Sequence, residues 1–131
     1  MTSINYSVLI QPYAERYYIK KFRKKYKGAW EITWRAICQE FQRFDSLLET
    51  SVAETITDRG NIRIAKTEFR VHGTNESKKS SGNRCIVAVH NDTYSVNVLL
   101  VYHKNDLGEG NETAKWKQII KENYPEYSNL L

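Results

Sequence analysis

Six side chains between residues 78 and 104 have the chemistry to act on a phosphodiester. Lys78, Lys79 and Arg84 stand just before an apolar strand pattern, and a second such pattern ends in Tyr-His-Lys at 102–104. Cations brought to the ends of neighbouring strands can hold a phosphate in place, whereas tyrosine and histidine can move protons. The pattern therefore indicates chemistry on a phosphodiester backbone.

Cleavage of RNA without a metal needs three things. The 2′-hydroxyl must lose a proton, the phosphorane must be charge-stabilised, and the leaving 5′-oxygen must gain a proton. Arginine suits the phosphorane because its planar fork engages two oxygens and stays charged. A lysine serves as the base only if neighbouring positive charge lowers its pKa from about 10.4. No metal or other cofactor is expected, because the three histidines and two cysteines show no ligand spacing.

The proton-transfer group has two candidates, Tyr102 and His103. A histidine titrates near pH 6.5 and can both take and give a proton. Side chains alternate along a strand, however, so His103 and Lys104 should face opposite sides, with Tyr102 on the side of Lys104. Both candidates stay open at this stage.

Composition predicts one folded domain over residues 1–131. Apolar residues make up 40% of the 131 and charged residues 27%, which is not a disordered composition. No run of eighteen apolar residues and no secretion signal is visible, so we expect a cytoplasmic protein and no membrane partner. Cys38 and Cys85 lie within apolar patterns and are interpreted as small buried hydrophobes in a reducing compartment.

The net charge of +5 favours a polyanionic partner without identifying one. Six basic residues crowd one segment: Lys20, Lys21, Arg23, Lys24, Lys25 and Lys27. This run is either a solvated helix face or a surface that accepts nucleic acid or an acidic protein.

Hydrophobic periodicity predicts an α+β fold, in which two N-terminal helices cover a small antiparallel sheet and a short helix ends the chain. An aromatic stripe from Trp30 to Leu48 marks the second helix as core. The expected elements are a strand over 3–10, helices over 12–26 and about 30–48, one strand or a pair over 61–72, strands over 85–89 and 96–102, and a helix capped by Asn111 and stopped by Pro125.

The order of these elements and the motifs in residues 69–104 resemble the RelE/ParE superfamily of type II toxins. The resembling motifs are Phe69-Arg70-Val71, the run Ser80-Ser81-Gly82-Asn83-Arg84, the strand 98–104 that ends in Tyr-His-Lys, and the terminal helix led by Glu112. Members often carry a lysine-rich loop, then Gly-x-Arg opening a strand, then an apolar strand ending in Tyr-x-Lys.

The resemblance implies an mRNA endoribonuclease of the RelE or HigB kind that acts on the ribosome and is neutralised by a small antitoxin. It assigns the phosphorane to Arg84 and a second cation to Lys104, with Arg70, Lys78 and Lys79 binding RNA. Several relatives carry a tyrosine just after the last strand, but residues 106–111 contain none. Tyr102 or His103 would have to replace it.

The nuclease hypothesis depends on Arg84 and Lys104 converging on one open, solvent-reachable spot. Arg84 could instead pair only with an acidic neighbour or with the antitoxin, and Lys104 could be an ordinary solvated lysine at the end of a strand. Two other functions stay open. One is the gyrase-inhibiting ParE branch of the same superfamily, and the other is a basic RNA- or protein-binding module without catalysis.

Overall fold

The computed structural model describes residues 4–131, which form a five-stranded sheet with helices on both faces. The strands are β1 (Ser7–Ile10), β2 (Ala53–Asp58), β3 (Ile62–Phe69), β4 (Asn83–His90) and β5 (Ser95–His103). The α-helices are α1 (Pro12–Ala14), α2 (Lys20–Lys25), α3 (Ala29–Gln42), α4 (Phe44–Leu47) and α5 (Glu112–Asn123). A π-helical turn (Glu15–Ile19) joins α1 to α2, and 3-10 turns span Lys104–Leu107 and Pro125–Leu130. The expected α+β class is confirmed.

The strand order across the sheet is β1-β5-β4-β3-β2, with β1 parallel to β5 and the other neighbours antiparallel. The helices α1–α4 lie between β1 and β2 in sequence, and these two strands form opposite edges. The helical segment therefore carries the chain across one face of the sheet, as a connection that cannot be a tight turn must.

The expectation of an antiparallel sheet was wrong in one pairing, because β1 is parallel to β5. β2 was not predicted, because its exposed Glu54, Thr55 and Asp58 hide the apolar alternation that marks a buried strand. The region 61–72 forms one strand that ends at Phe69, so Arg70 and His72 lie beyond the sheet. The predicted first strand begins at Ser3, which lies outside the described residues, and β1 itself starts at Ser7.

The first core lies between α1–α4 and one sheet face. Trp30, Ile37, Phe41 and Phe44 are buried from the helical side. From the sheet side, Val87, Val89, Val96, Val98 and Val101 meet them. The predicted aromatic stripe is thus core.

The second core lies between α5 and the opposite sheet face. Trp116 and Ile120 of α5 pack on Ile86, Leu100 and Tyr102, and all five are fully buried. Both faces of β4 and β5 are covered in this way, which explains their near-continuous apolar sequences.

A β-bulge decides which face the end of β5 presents to α5. Ile86 pairs with Leu100 but Val87 pairs with Val98, so Leu99 is an extra residue. Before the bulge the even-numbered Val96 and Val98 face the first core, and after it the odd-numbered Val101 does. Tyr102 is therefore turned towards α5.

Both cysteines are free thiols; Cys85 is buried and Cys38 is partly covered. Burial raises the pKa of the Cys85 thiol above its ordinary value. Within the described chain, no helix is long and apolar enough to cross a membrane.

We predict that Asn111→Ala destabilises the protein by about 1 kcal/mol, the usual value of a helix N-cap. The Asn111 Oδ1 accepts a hydrogen bond from the Ala114 N–H at 2.9 Å, and α5 closes the second core. Thermal unfolding measures the change. Asn111→Asp is the control, because its carboxylate also accepts at the N-cap, and it should stay near wild type. Equal destabilisation by both variants would contradict the capping role.

Candidate functional site

Several of the basic residues singled out in the sequence lie at one end of the inner strands of the sheet. The end of β3, the start of β4 and the end of β5 are neighbours, since Phe69 pairs with Asn83 and Asn83 pairs with His103. We call this set of residues the cationic edge: Arg70, Lys79, Arg84, His103 and Lys104. Three strand termini that meet at one place thus bring together residues 34 positions apart in sequence.

The turn before β4 is shaped by Ser81 and Gly82. The Ser81 hydroxyl donates to the Phe69 carbonyl and accepts from the Asn83 N–H at 3.0 Å, which ties the loop to the sheet. Gly82 has φ +81°, and a Cβ there would lie 2.6 Å from Nε2 of His103. The Gly82 carbonyl accepts from the Lys104 N–H at 2.8 Å. Glycine is required here, both for the backbone conformation and for the imidazole that lies against it.

Arg84 is held in a buried network of charges. Its Nη1 lies 3.3 Å from Glu68 Oε2, and its Nε lies 3.9 Å from Glu112 Oε2. Nη1 also donates to the Asn83 carbonyl at 3.0 Å, and Nη2 donates to the Lys79 carbonyl at 3.2 Å. Only 10% of the side chain is exposed. The expectation that Arg84 stands open to solvent is therefore wrong, because the guanidinium is buried beside α5 with the carboxylate partners that a buried charge requires. The open meeting point of Arg84 and Lys104, on which the nuclease hypothesis depends, is not formed in this state.

Tyr102 belongs to the same network and is inaccessible. Its side chain is fully buried, and its hydroxyl donates to Glu112 Oε2 at 2.8 Å. Burial, and then the adjacent carboxylate, raise the pKa of the phenol well above its ordinary value. Such a group neither loses a proton at neutral pH nor touches a substrate in this state. The structure thus contradicts the hypothesis that Tyr102 replaces the missing tyrosine.

His103 is partly exposed and has one ring nitrogen engaged. The Asn105 N–H donates to Nδ1 at 3.1 Å, so the neutral ring carries its proton on Nε2. That N–H can donate to a phosphate oxygen. In this geometry Nε2 is the ring nitrogen left to contact a substrate.

The remaining cations differ in how free they are. Arg70, Lys79 and Lys104 are exposed, and among residues 4–131 none of them has a carboxylate within 4.0 Å. Lys78 is engaged, because its Nζ lies 2.8 Å from Glu40 Oε2 on α3. The cationic edge therefore presents three exposed cations without a carboxylate partner and one buried cation, Arg84.

Sequence reasoning missed the acidic half of this network. Glu112 Oε2 accepts from Tyr102 and lies 3.6 Å from Lys66 Nζ, while Glu68 lies opposite Arg84 in the β3–β4 register. The available signal was the alternation of Lys66 and Glu68, which puts both on one face of a strand. No pattern in the sequence placed Glu112 on that same face.

A second basic surface lies on the helical side. We call the exposed residues Lys20, Lys21, Lys24, Lys25 and Lys27 the lysine-rich face. Arg23, within the same run, is neutralised by Glu15 at 3.1 Å and Glu31 at 3.2 Å. In the part of the chain that is described, the five lysines have no such partner. Lys21 and Lys25 lie 5.9 and 5.2 Å from the ring centres of Tyr18 and Tyr26.

Between residues 4 and 131, no group of three His, Cys, Asp or Glu side chains could hold a metal ion.

Comparison with known proteins gives one remote structural likeness. No protein-family model matches the sequence, and no curated protein matches it. A crystal structure of an archaeal RelE–RelB complex from Pyrococcus horikoshii OT3 is similar over 77% of this chain and 97% of that chain, with 13% identity and a TM-score of 0.45. A likeness of this degree says nothing about activity.

We predict that Tyr102→Phe lowers the free energy of unfolding by about 1 kcal/mol at neutral pH, the usual value of one hydrogen bond. Because the folded phenol has a raised pKa, it stabilises the protein fully below the unfolded value of 10.0, and that contribution is lost as the pH rises above it. The gap between wild type and Tyr102→Phe should therefore shrink above pH 10. Chemical denaturation at pH 7 and above pH 10 measures it, and a gap that does not depend on pH would contradict this account.

Proposed function

We propose that the chain is the toxin of a type II toxin–antitoxin pair, and that it cleaves mRNA on the ribosome, in the cytoplasm, without a metal. The observation that carries the proposal is the cationic edge, where strand ends that bear exposed cations lie next to a guanidinium with an unused N–H. An antitoxin protein is the implied second partner. The motif resemblance of residues 69–104 supports the same family of activities.

The unused donor is Nε of Arg84. It is buried and makes no hydrogen bond in the described structure, although Glu112 Oε2 lies 3.9 Å away. A buried donor without an acceptor is costly, and such groups in native proteins call for an explanation. A phosphate oxygen that takes the place of the Glu112 carboxylate would satisfy Nε at hydrogen-bonding distance. Glu112 would then act as a stand-in for substrate in the resting protein.

The proposed reaction is attack of the 2′-oxygen on the neighbouring phosphorus. The P–O5′ bond breaks, and the products are a 2′,3′-cyclic phosphate and a 5′-hydroxyl. Arg84 and Lys104 offset the charge of the phosphorane, and the Nε2–H of His103 donates to one of its oxygens. Arg70 and Lys79 hold the flanking phosphates, with Lys78 joining them once it leaves Glu40. The 2′-hydroxyl loses its proton to solvent, and the leaving 5′-oxygen takes a proton from solvent.

The lysine-rich face supplies long-range attraction to RNA. Five unneutralised lysines in one segment favour a polyanion through the release of its counterions. Tyr17 lies on the same segment and is half exposed, so it offers a ring on which a base can stack. Structured RNA of the ribosome has the charge density that this surface fits.

We predict that Lys104→Ala lowers RNA cleavage at least ~10-fold, because it removes a positive charge that stabilises the phosphorane. Stability should not change, since the side chain is exposed. The assay uses end-labelled single-stranded RNA, with and without ribosomes, and analyses product ends for the cyclic phosphate. Lys121→Ala, on the exposed side of α5, is the matched control and should cleave like wild type. Equal activity of the two variants would refute the role of Lys104.

A second candidate function is a basic RNA-binding module without catalysis. The burial of Tyr102 and the pairing of Arg84 favour it, because within the described residues no side chain stands ready as a general base. This function predicts that intact RNA binds, that binding weakens with salt, and that no cyclic phosphate forms. The gyrase-inhibiting alternative is favoured by the absence of a tyrosine from residues 106–111, and it predicts loss of supercoiling by purified gyrase.

We predict that Glu112→Gln raises the cleavage rate by about 2–10-fold while it lowers the free energy of unfolding by about 1–3 kcal/mol. The amide can still accept from Tyr102, but it no longer neutralises Arg84. Single-turnover cleavage with saturating RNA measures the rate, and chemical denaturation measures stability.

Glu122→Gln is the control for this prediction, because it makes the same change at an exposed position of α5. It should alter neither quantity. If Glu112→Gln loses stability and cleavage does not rise, the carboxylate is only structural and the stand-in role is refuted.

A further inference from the structure

A cleft of about 570 Å³ opens beside the C-terminal end of α5. We call it the tyrosine cleft, and its lining residues are Tyr13, Tyr17, Tyr18, Lys21 and Asn123. Asn123 is the last residue of α5 and Glu112 is the first, so the two lie about 16 Å apart along the helix, at about 1.5 Å per residue. Nothing in the proposed cleavage reaction uses this cleft.

The π-helical turn brings the tyrosine rings together. The Lys20 N–H donates to the Glu15 carbonyl, five residues back, which makes this turn wider than an α-helical one. The ring centre of Tyr13 lies 5.0 Å from that of Tyr17 and 5.8 Å from that of Tyr18, so neighbours four and five residues apart lie on the same side. π-helical turns are rare, and many of them occur at functional sites.

One ring of the cleft is exposed and another is held in place. Tyr17 is 50% exposed. Tyr13 packs edge-on against Tyr124, with ring centres 5.8 Å apart, and the Tyr124 hydroxyl donates to the Leu99 carbonyl of β5 at 2.8 Å. A planar ligand can therefore stack on Tyr17 beside a wall that the sheet supports.

Positive charge begins at the cleft and continues along α2. Lys21 belongs to the lysine-rich face, and its Nζ lies 5.9 Å from the centre of the Tyr18 ring. Lys24 and Lys25 follow three and four residues later, which puts them on the same side of the helix as Lys21. Proteins hold single-stranded nucleic acid with ring faces of this kind next to a row of cations.

Asn123 adds a group that can contact the edge of a base. Its Nδ2 donates to the Ile119 carbonyl at 2.9 Å, which fixes the orientation of the amide. The Oδ1 can accept a hydrogen bond from an N–H of a base.

We infer that the tyrosine cleft binds one unpaired base of an RNA strand, with Lys21 on an adjoining phosphate. A proline-rich peptide also docks on aromatic rings, but a row of lysines favours a polyanion. The inference rests on the proposed attraction of RNA to the lysine-rich face, and it names the place where that RNA is held. It does not depend on cleavage at the cationic edge.

The test measures direct binding by fluorescence anisotropy with four labelled probes. The main probe is a single strand of about 12 nucleotides, a length that one such surface can cover, and its 2′-O-methyl sugars prevent cleavage. The other probes are the same strand paired with its complement, adenosine monophosphate, and a peptide of alternating proline and glutamate.

Tyr17→Ala should weaken binding of the single strand about 10-fold, or about 1.4 kcal/mol, because one stacked base is lost. Tyr17→Phe keeps the ring and should bind like wild type. Tyr94→Ala is the matched control, since Tyr94 is also 50% exposed but lies in the turn before β5. It should bind like wild type as well.

Lys21→Ala should act through charge. The slope of log K against log salt should fall by about 0.7, the value of one phosphate contact on a single strand, whereas Tyr17→Ala should leave the slope unchanged. Binding of the duplex should not respond to Tyr17→Ala, because its bases are already stacked. Adenosine monophosphate and the peptide should bind at least ~10-fold more weakly than the strand.

Any of four results would overturn the inference: no loss with Tyr17→Ala, an equal loss with Tyr94→Ala, an equal loss for the duplex, or binding of the mononucleotide or the peptide as tight as that of the strand. The last result would assign the cleft to a free nucleotide or to a protein partner. Because the main probe cannot be cleaved, the cleft can fail this test while Lys104→Ala still lowers cleavage. The cleft can also pass it in a protein that does not cleave RNA.

Discussion

The rest of the structure depends on the contacts of the Glu112 carboxylate, which lies beside the cationic edge. It accepts from Tyr102 at 2.8 Å and lies within 4 Å of both Lys66 and Arg84. Glu112 also stands in the first turn of α5, where the helix dipole favours an anion. One side chain therefore fixes the start of α5 and makes the burial of Arg84 tolerable. With Glu68 it completes the pairing that a buried guanidinium requires.

The same contact divides the cations into Arg84, which is buried beside Glu112, and those that stay exposed. Arg84 organises its own surroundings, because its Nη2 donates to the Lys79 carbonyl and so fixes the lysine-bearing loop. Lys79 and Lys104 are exposed on the segments that adjoin it, since the Lys104 N–H donates to the Gly82 carbonyl. A phosphate that then displaces Glu112 would free both α5 and Arg84 at once. Binding of substrate and loosening of α5 are coupled in this account.

Much of the fold could be predicted from the sequence, because the signals were local. The stripe from Trp30 to Phe44, the Asn111 cap and the apolar β4 and β5 each follow from periodicity or capping. The meeting of Arg84 with the end of β5 could also be predicted from strand order. The face that each side chain at the end of β5 occupies could not be predicted, because the bulge at Leu99 inverts the alternation and turns Leu100 and Tyr102 towards α5.

The acidic partners were beyond sequence reasoning for a related reason. Glu112 lies 28 residues after Arg84 and meets it only because α5 folds back over the sheet. The pairing of Lys78 with Glu40 likewise joins a loop to α3 across 38 residues. A single polar residue gives no sign in the sequence of the long-range contact that it makes. The basic motif therefore predicted a more solvent-exposed site than the structure has.

The central claim is that an RNA phosphate takes the place of Glu112 at Arg84, and NMR of the arginine side chains tests it most directly. The Nε–H signal of Arg84 would be followed as a non-cleavable RNA, with a 2′-deoxy sugar at the scissile position, is titrated in. The account predicts a large shift of that signal, together with loss of the Tyr102 hydroxyl contact to Glu112. An Arg84 signal that stays unchanged while Lys79 and Lys104 respond to the RNA would contradict it.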